Sequence, residues 1–391
     1  MADTAHTITA IETFRVPPRW FLVRVSTADG AVGWGESIVP KRARAVVGAI
    51  GDLADNVIGR DARRIEDLWQ RMHRGAFFRG GPILATAAAA IEQALWDLKA
   101  RSVGLPVYEF LGGAVRERTR AYAWVGGDDP DGVVDHARQR MAQGFTAVKM
   151  NATGTADHLD RHQLIDDVLA RVGSLRDAFG AELDIALDFH GRVPRPVAKI
   201  LLRELEPFRL MWVEEPVTPE TDDSLRHIVP GSSIPIATGE RLTSRWEILT
   251  LLRDGMVDIV QPDVSLTGLF ELEKIARMAE VYDVAVAPHC PNGPISLAAS
   301  LQVGFCCPNV VIQEQSGGIH YHQGYAGLPA GELFDYVRDS GPLTTIDGHF
   351  RRTDGAGLGV DVDEDVVRAA AGAWSLPDPD WTHDDGRYAE W

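Results

Sequence analysis

Eight short apolar runs recur along the chain between residues 120 and 314, and each is followed by a stretch with helical spacing. The runs begin at residues 120, 145, 183, 211, 234, 257, 284 and 310. Short apolar runs that alternate with amphipathic helices are typical of βα units and of a parallel sheet. Eight consecutive units of this kind predict an α/β fold, a TIM-type (β/α) barrel.

The residues before the barrel have a different pattern. Residues 1–35 read as strands, and "TADGAVG" supplies an Asp-Gly hairpin turn. From about residue 40 to 113 the spacing becomes helical, and the helix that carries Ala90, Ala94 and Leu98 is expected to pack in the core. We therefore predict an N-terminal α+β capping domain over residues 1–118, the barrel over 119–345, and a C-terminal segment, 346–391, that packs back on the capping domain.

Composition limits the partners that such a chain can have. The formal net charge is −17, which argues against a nucleic-acid surface or a polybasic membrane patch. The start of the chain lacks the pattern of a secretory signal, and no apolar run reaches the length of a membrane span. The three cysteines, Cys290, Cys306 and Cys307, form no CxxC pair. We expect a cytoplasmic protein with a small-molecule substrate and no membrane or nucleic-acid partner.

A polar residue stands at or just after the end of six consecutive runs. The six lie 23 to 26 residues apart: Asp188, Glu214, Glu240, Asp263, His289 and Glu314. In a parallel barrel these positions share the C-terminal face, where active sites lie. Each residue alone could be a solvated charge, a helix cap or a structural histidine, but six in register predict a functional site.

His190 adds a second imidazole to this face. It follows Asp188 by two residues, and in a strand such residues point to the same side. On that reading the strand end is either a solvated lip or presents Asp188 and His190 to a shared site.

Three of the acids predict a metal site. Asp188, Glu214 and Glu240 would repel one another if they converged without a cation. Three hard oxygen donors with positions left for water suit Mg²⁺, which would also attract an anionic substrate to an acidic protein. Glu215 is expected to point to the other face and to be structural.

The polar residues at the ends of the other apolar runs predict acid–base chemistry. A carboxylate at Asp263 that receives the imidazole N–H of His289 fixes its tautomer and raises its basicity, as a general base requires. His190 arrives from the other side of the barrel mouth. A base, an acid and a cation between them fit proton abstraction next to a carboxylate, with the cation stabilising the enediolate.

Several motifs carry a resemblance to a known family over nearly the whole chain. They include "GWGES", "ALWDLKARSVGLPVYEFLGG", "LDFHGRV", "VEEPV", "ATGERLTSRWE" and "APHCPNGPI". The chain resembles the enolase superfamily, in its mandelate racemase group, and is most similar there to the galactonate dehydratases, which act on sugar acids.

The resemblance implies a role for each site residue. It makes Asp188, Glu214 and Glu240 the Mg²⁺ ligands. It implies that His289, oriented by Asp263, takes the C2 proton, and that His190 protonates the leaving 3-hydroxyl. It further implies that Glu314 helps to hold the enediolate.

The chain also departs from the family pattern. Racemases of the group carry a second lysine two positions after the one that matches Lys149, and here that position is Asn151. The change favours elimination with one base. Lys149 and Asn151 would contact the substrate, or Lys149 would be structural. Arg19, beside Trp20, would contact distal hydroxyls, or "PPRW" is a structural turn. After Asp263 the dehydratases have His-Ala where this chain has residues 266–267, Leu-Thr, which leaves the identity of the sugar acid open.

The predicted activity is that of a carbon–oxygen lyase, a hydro-lyase that uses Mg²⁺. It would remove water from an aldonate such as galactonate to give a 2-keto-3-deoxy acid. The alternatives are dehydration of a gluconate, an arabinonate or an aldarate, an epimerase that uses His190 and His289 as two bases, and a catalytically silent sugar-acid binder. A homo-oligomer is expected from the resemblance.

Overall fold

The computed structural model of the chain describes residues 4–126, 130–160, 162–319, 331–372, 381–383 and 385–390. Three antiparallel strands form the N-terminal sheet: β1 (Ile8–Val16), β2 (Trp20–Thr27) and β3 (Val32–Ser37). Three helices follow them: α1 (Ala43–Val57), α2 (Ile65–Arg74) and α3 (Pro82–Arg101). This N-terminal sheet with its helices is the predicted α+β cap.

Close packing of α3 on β3 holds this part together. A Cβ atom at Gly33 would lie 2.1 Å from the backbone oxygen of Ala94, and one at Gly35 would lie 1.9 Å from that of Ala90. Only glycine permits such an approach of a strand to a helix. Ala90, Ala94 and Leu98 are buried in the hydrophobic core, as their spacing predicted.

Seven parallel strands form the second sheet, in the spatial order of their sequence. They are β5 (Ala123–Trp124), β6 (Ala147–Asn151), β7 (Asp184–Asp188), β8 (Trp212–Glu214), β9 (Ile236–Thr238), β10 (Ile259–Val260) and β11 (Ala285–Val286). The helices of this part are α4 (Pro130–Ala142), α5 (Gln163–Phe179), α6 (Arg195–Leu205), α7 (Leu225–Ile228), α8 (Arg245–Arg253), α9 (Val264–Thr267), α10 (Leu269–Val281) and α11 (Pro294–Cys306).

The eighth predicted run closes the sheet into a barrel through isolated bridges. Val310 pairs with Val286 on one side, and Gln313 pairs with Ala121 on the other, both in parallel. One residue from each of the eight runs contributes to a separate buried cluster inside the barrel: Tyr122, Ala147, Ala186, Trp212, Ala237, Ile259, Ala287 and Ile312. The rings of Tyr122 and Trp212 meet edge to face, with centroids 5.6 Å apart, and fill the interior together with the smaller members of the cluster, so the barrel is a packed core.

The C-terminal part returns to the front of the chain. Strand β12 (His349–Arg351) pairs antiparallel with β4 (Arg118–Arg120). The pair involves both predicted domain boundaries, because β4 begins at the boundary at residue 118 and β12 lies after the one at residue 345. Helix α12 (Glu364–Ala370) lies beside β1, where Arg368 and Glu12 form an ion pair at 3.0 Å. Residues 373–380, 384 and 391 of the predicted C-terminal segment lie outside the described residues, and the boundaries at 118 and 345 stay predictions.

Within the described ranges, none of the helices combines the length and the apolar composition that a bilayer crossing requires.

Candidate active site

Three acidic side chains meet at the C-terminal ends of neighbouring strands. Asp188 ends β7 and lies opposite Glu214, the last residue of β8, while Glu240 follows β9 by two residues. One oxygen of each carboxylate lies within 4.8 Å of the others. All three side chains are buried. The strand ends thus bring together the three acids that were predicted to converge.

The three carboxylates fit a divalent cation. Burial, together with the charge of Glu214, raises the pKa of Asp188 well above its usual range. Burial also raises the pKa of Glu240, to about 7. Oε2 of Glu240 is buried and accepts no hydrogen bond from the described residues. Hard oxygen donors that repel one another, one of them without a hydrogen bond, are what a hard divalent cation can stabilise.

Lys149 lies among these acids as a buried cation. Its ammonium nitrogen is 2.6 Å from Oε1 of Glu214, 2.9 Å from Oε1 of Glu314 and 3.9 Å from Oδ2 of Asp188. Burial lowers the pKa of Lys149, but the charges of Glu214 and Glu314 outweigh it and raise the pKa well above its usual value. The lysine therefore stays charged and neutralises part of the acidic cluster. These contacts support a structural role for Lys149, one of the two roles that the sequence left open. Contact between Lys149 and a substrate stays a prediction.

His289 and Asp263 form the predicted pair. Nδ1 of His289 lies 2.8 Å from Oδ2 of Asp263, and Nε2 lies 3.6 Å from Oε2 of Glu240. Burial lowers the pKa of His289, but the charges of Glu240 and Glu314 and the hydrogen bond to Asp263 raise it to about 10. With the Nδ1 proton directed at a carboxylate, Nε2 is the atom that faces the acidic cluster.

His190 reaches the site by a different route from the one that strand alternation predicted. Strand β7 ends at Asp188, and His190 adopts the left-handed conformation with φ of 55°. Its backbone N–H donates to Oδ1 of Asp188 at 2.6 Å, so the side chain of Asp188 turns the chain at this point. The period of two does not extend past the strand end, and the expectation of a common strand face was wrong in that detail.

Arg192 sets the tautomer of His190. Its guanidinium Nη2 lies 2.7 Å from Nδ1 of the imidazole. Because an arginine only donates, Nδ1 accepts and the ring proton resides on Nε2. Burial and the positive charges of Arg192 and Arg241 lower the pKa of His190 well below its usual value. The sequence analysis missed Arg192, although it follows directly in the "DFHGR" motif.

The remaining predicted site residues lie around this centre. Oε1 of Glu314 accepts from Nε1 of Trp124 at 2.8 Å, and Oε2 accepts from the backbone N–H of Cys290 at 2.7 Å. Asn151 lies opposite Asp188 in the sheet, and its buried Oδ1 accepts no hydrogen bond from the part of the chain that is described. Nη2 of Arg19 donates to the carbonyl of Pro291 at 2.6 Å, which ties the N-terminal sheet to the segment after His289.

Glu215 has the structural place that was expected. Its carboxylate accepts from Oγ1 of Thr238 at 2.8 Å, from the backbone N–H of Gly239 at 3.1 Å and from Arg241 at 2.9 Å. These contacts join β8 to the segment that carries Glu240. Glu215 is not one of the three acids that could hold the cation.

Sequence reasoning also missed Asn292. Its amide nitrogen lies 3.1 Å from Oδ1 and 3.0 Å from Oδ2 of Asp263. The residue occupies the variable position of the "APHCPxGPI" motif, where the family pattern gives no signal. The one available indication was that Asn292 is the side-chain amide nearest in the sequence to His289, the predicted base.

Comparisons with known proteins match both parts of the chain. The family described as "Mandelate racemase / muconate lactonizing enzyme, N-terminal domain" matches residues 5–112, and that described as "Enolase C-terminal domain-like" matches residues 132–366. A D-galactonate dehydratase of Ralstonia nicotianae is 47% identical over 386 residues, which are 98% of this chain and 100% of that protein. The D-galactonate dehydratase of Pectobacterium atrosepticum is 45% identical with the same coverage.

Solved structures agree with these matches. An enolase from Agrobacterium radiobacter, bound to Na and L-malate, superposes with a TM-score of 0.88 at 30% identity and covers 98% of this chain and 99% of its own. A member of the enolase superfamily from Salmonella Typhimurium superposes with a TM-score of 0.84 at 27% identity, over 93% of this chain and 97% of its own.

Proposed function

Because the chain belongs to the enolase superfamily, in its mandelate racemase and muconate lactonizing enzyme group, we propose that it is a magnesium-dependent sugar-acid dehydratase. The substrate would be an aldonate such as galactonate, and the product a 2-keto-3-deoxy acid. The observation that carries this proposal is the position of His289, whose Nε2 faces Glu240 of the acidic cluster while its Nδ1 is held by Asp263. The full-length similarity to D-galactonate dehydratases supports a hydro-lyase.

Asp188, Glu214 and Glu240 would hold the Mg²⁺. Oε2 of Glu214 accepts hydrogen bonds from Trp212 and Gln261, whereas Oε1 accepts one from Lys149 and keeps a further lone pair for a cation. When bound, Mg²⁺ supplies positive charge beside the substrate carboxylate and so favours loss of the neighbouring proton. Without the cation, the carboxylates of the site would repel the anionic substrate.

His289 would take the proton from C2 at Nε2. A base acts only in its deprotonated form, and the charge of Glu240 helps to raise the pKa of His289 to about 10. Sharing of the Glu240 carboxylate with a cation removes part of that charge, so the pKa of His289 would fall toward neutrality. The ion pair with Asp263 would remain and would stabilise the imidazolium that forms.

His190 would complete the elimination. The C2–H bond breaks first and its proton passes to His289; the C3–O bond then breaks, and the 3-hydroxyl leaves as water with a proton from His190. A neutral ring that gave up its Nε2 proton would be left as imidazolate, so His190 would have to act as the imidazolium, with Nδ1 protonated and released from Arg192. The enol that results becomes the 2-keto acid. Asn151 carries no basic group, so the second strand of the barrel provides no opposing lysine base.

The test is a screen of aldonates and aldarates with Mg²⁺ in D₂O, in which formation of a 2-keto acid is measured. We expect an aldonate to give a keto acid with loss of water. An epimerase would instead leave deuterium at C2 without a keto product. A silent binder would show ligand-induced thermal stabilisation without either product. If the magnesium-loaded protein turns over no acid sugar, the proposal is wrong.

Assembly and location stay predictions. We expect a homo-oligomer in the cytoplasm, with neither a membrane nor a nucleic acid as partner, and sedimentation of the purified protein would test the first of these.

A further inference from the structure

The carboxylate of Asp263 is held by more than the imidazole of His289. Oδ1 accepts from the backbone N–H of Ser265 at 2.7 Å. The amide nitrogen of Asn292 lies between the two oxygens, 3.1 Å from Oδ1 and 3.0 Å from Oδ2, and is also 3.2 Å from Oγ of Ser265. Both Asp263 and Asn292 are buried, so few water molecules can replace these contacts.

Electrostatics determine which end of the Asn292 amide faces Asp263. If the amide were turned over, its oxygen would lie against both oxygens of a buried carboxylate, and the two acceptors would repel. With the nitrogen in this place, rotation of the Asp263 carboxylate out of its plane would weaken its contacts with Asn292, Ser265 and His289 together. The plane of the carboxylate is therefore fixed from two sides.

The main chain fixes Asn292 in turn. Its carbonyl accepts from Oγ of Ser316 at 2.7 Å. The next residue, Gly293, donates its N–H to Oε1 of Glu36 at 2.6 Å, and a Cβ atom at Gly293 would lie 2.6 Å from that same oxygen. Glu36 is on β3, so the N-terminal sheet determines where the segment after His289 runs.

We propose that Asn292 is a positioning residue for the Asp263–His289 pair. It holds the Asp263 carboxylate so that Oδ2 stays on Nδ1 of His289, and it thereby keeps Nε2 directed at the reacting carbon. Asn292 acts through Asp263, at which its amide nitrogen is directed. The inference rests on the proposed function only in so far as His289 is taken as the base.

The test compares two variants at this position with a matched control. Asn292→Leu has a similar volume without donors, and Asn292→Asp keeps the shape and replaces the donating amide with a second carboxylate. Asn309→Leu is the control, because the amide of Asn309 also donates two hydrogen bonds, but to the carbonyls of Ala276 and Val284. We expect both Asn292 variants to lose about 10- to 100-fold in kcat with KM unchanged, as is usual when a group that orients a histidine is removed. Asn309→Leu should lose thermal stability and keep its kcat.

A spectroscopic readout separates this inference from the proposed function. The Nδ1 proton of His289, assigned by its loss in His289→Asn, should give a hydrogen-bonded ¹⁵N-imidazole signal in the substrate-free protein. The signal should shift or broaden in both Asn292 variants and remain in Asn309→Leu. If the Asn292 variants keep the signal, or if their kcat falls only in proportion to their folded fraction, the inference is wrong. If no acid sugar is turned over, the proposed function fails, and the signal alone decides the role of Asn292.

Discussion

Nε2 of His289 lies 3.6 Å from Oε2 of Glu240, so the proposed base faces one of the proposed metal ligands directly. The two groups follow strands that are not neighbours, since β10 lies between β9 and β11. Each affects the charge of the other: the carboxylate raises the pKa of the imidazole, and the imidazole lowers that of the carboxylate. Removal of either group should therefore change both proton transfer and metal binding.

The two histidines should differ in which half of the reaction they support. We expect His289→Asn to lose both keto-acid formation and exchange of the C2 proton with D₂O, because it removes the base. His190→Asn should lose keto-acid formation by about 10²- to 10⁴-fold, the usual contribution of a general acid or base, but keep the exchange. Mass spectrometry of the recovered substrate measures the exchange. Full activity in both variants would contradict the assigned roles.

Metal binding should depend on Glu240. At a Mg²⁺ concentration about 100 times its Kd, binding should stabilise the wild-type protein by about 2.7 kcal/mol. We expect Glu240→Gln to lose most of this stabilisation, since one of three carboxylate ligands becomes neutral. The measurement is thermal unfolding with and without Mg²⁺.

Glu215→Gln is the matched control for that experiment. Glu215 is a buried acid next to Glu214 that contacts Arg241 rather than the cluster. Glu215→Gln should be less stable than the wild type without Mg²⁺. Mg²⁺ should nevertheless stabilise it against unfolding by as much as it stabilises the wild type. Equal loss of the magnesium effect in both variants would show that the three acids do not form the site.

Lys149 should be essential for the stability of the metal-free protein. Lys149→Met leaves Glu214 and Glu314 buried without their cation, and loss of one partner of a buried ion pair costs about 3–5 kcal/mol. We expect Mg²⁺ to restore part of the loss, because it neutralises Glu214. Denaturant unfolding with and without Mg²⁺ measures both effects. A variant with wild-type stability and only a raised KM would favour the substrate-contact alternative.

Glu92, a buried acid of α3, should make stability depend on pH. Burial raises its pKa from 4.5 to about 7, although the backbone N–H groups of Phe270 and Leu269 oppose the shift. Between these two values the folded state binds more protons than the unfolded state, so the free energy of unfolding falls as pH rises. From about pH 5 to about pH 8 the wild type should lose about 2.5 kcal/mol more than Glu92→Gln. Denaturant unfolding of both proteins across this pH range measures the difference. An equal change in the free energy of unfolding of the two proteins would contradict the prediction.

Periodicity alone predicted the barrel and the position of most of the site. Asp188, Glu214 and Glu314 are at or next to the ends of parallel segments, where the pattern of the chain determines the place of a side chain. The family resemblance then supplied the roles, which remain proposals. The prediction of a strand at residues 310–314 was correct in position, although the structure forms only isolated bridges in that described segment.

The details that the sequence did not predict depend on local geometry or on long-range contacts. His190 lies beyond its strand in a left-handed conformation, which an alternating pattern does not report. Asn292 contacts a residue 29 positions away through a side-chain amide, and no periodic signal marks such a contact. Partners of this kind become visible only when the chain is folded.

Glu36 joins the N-terminal sheet to the first turn of α11 through the backbone N–H groups of Gly293, Ile295 and Ser296. The segment that follows the proposed base is thus anchored to the N-terminal sheet. Loss of these three hydrogen bonds would release that segment, so the packing of the N-terminal sheet and the position of the proposed base should depend on one another.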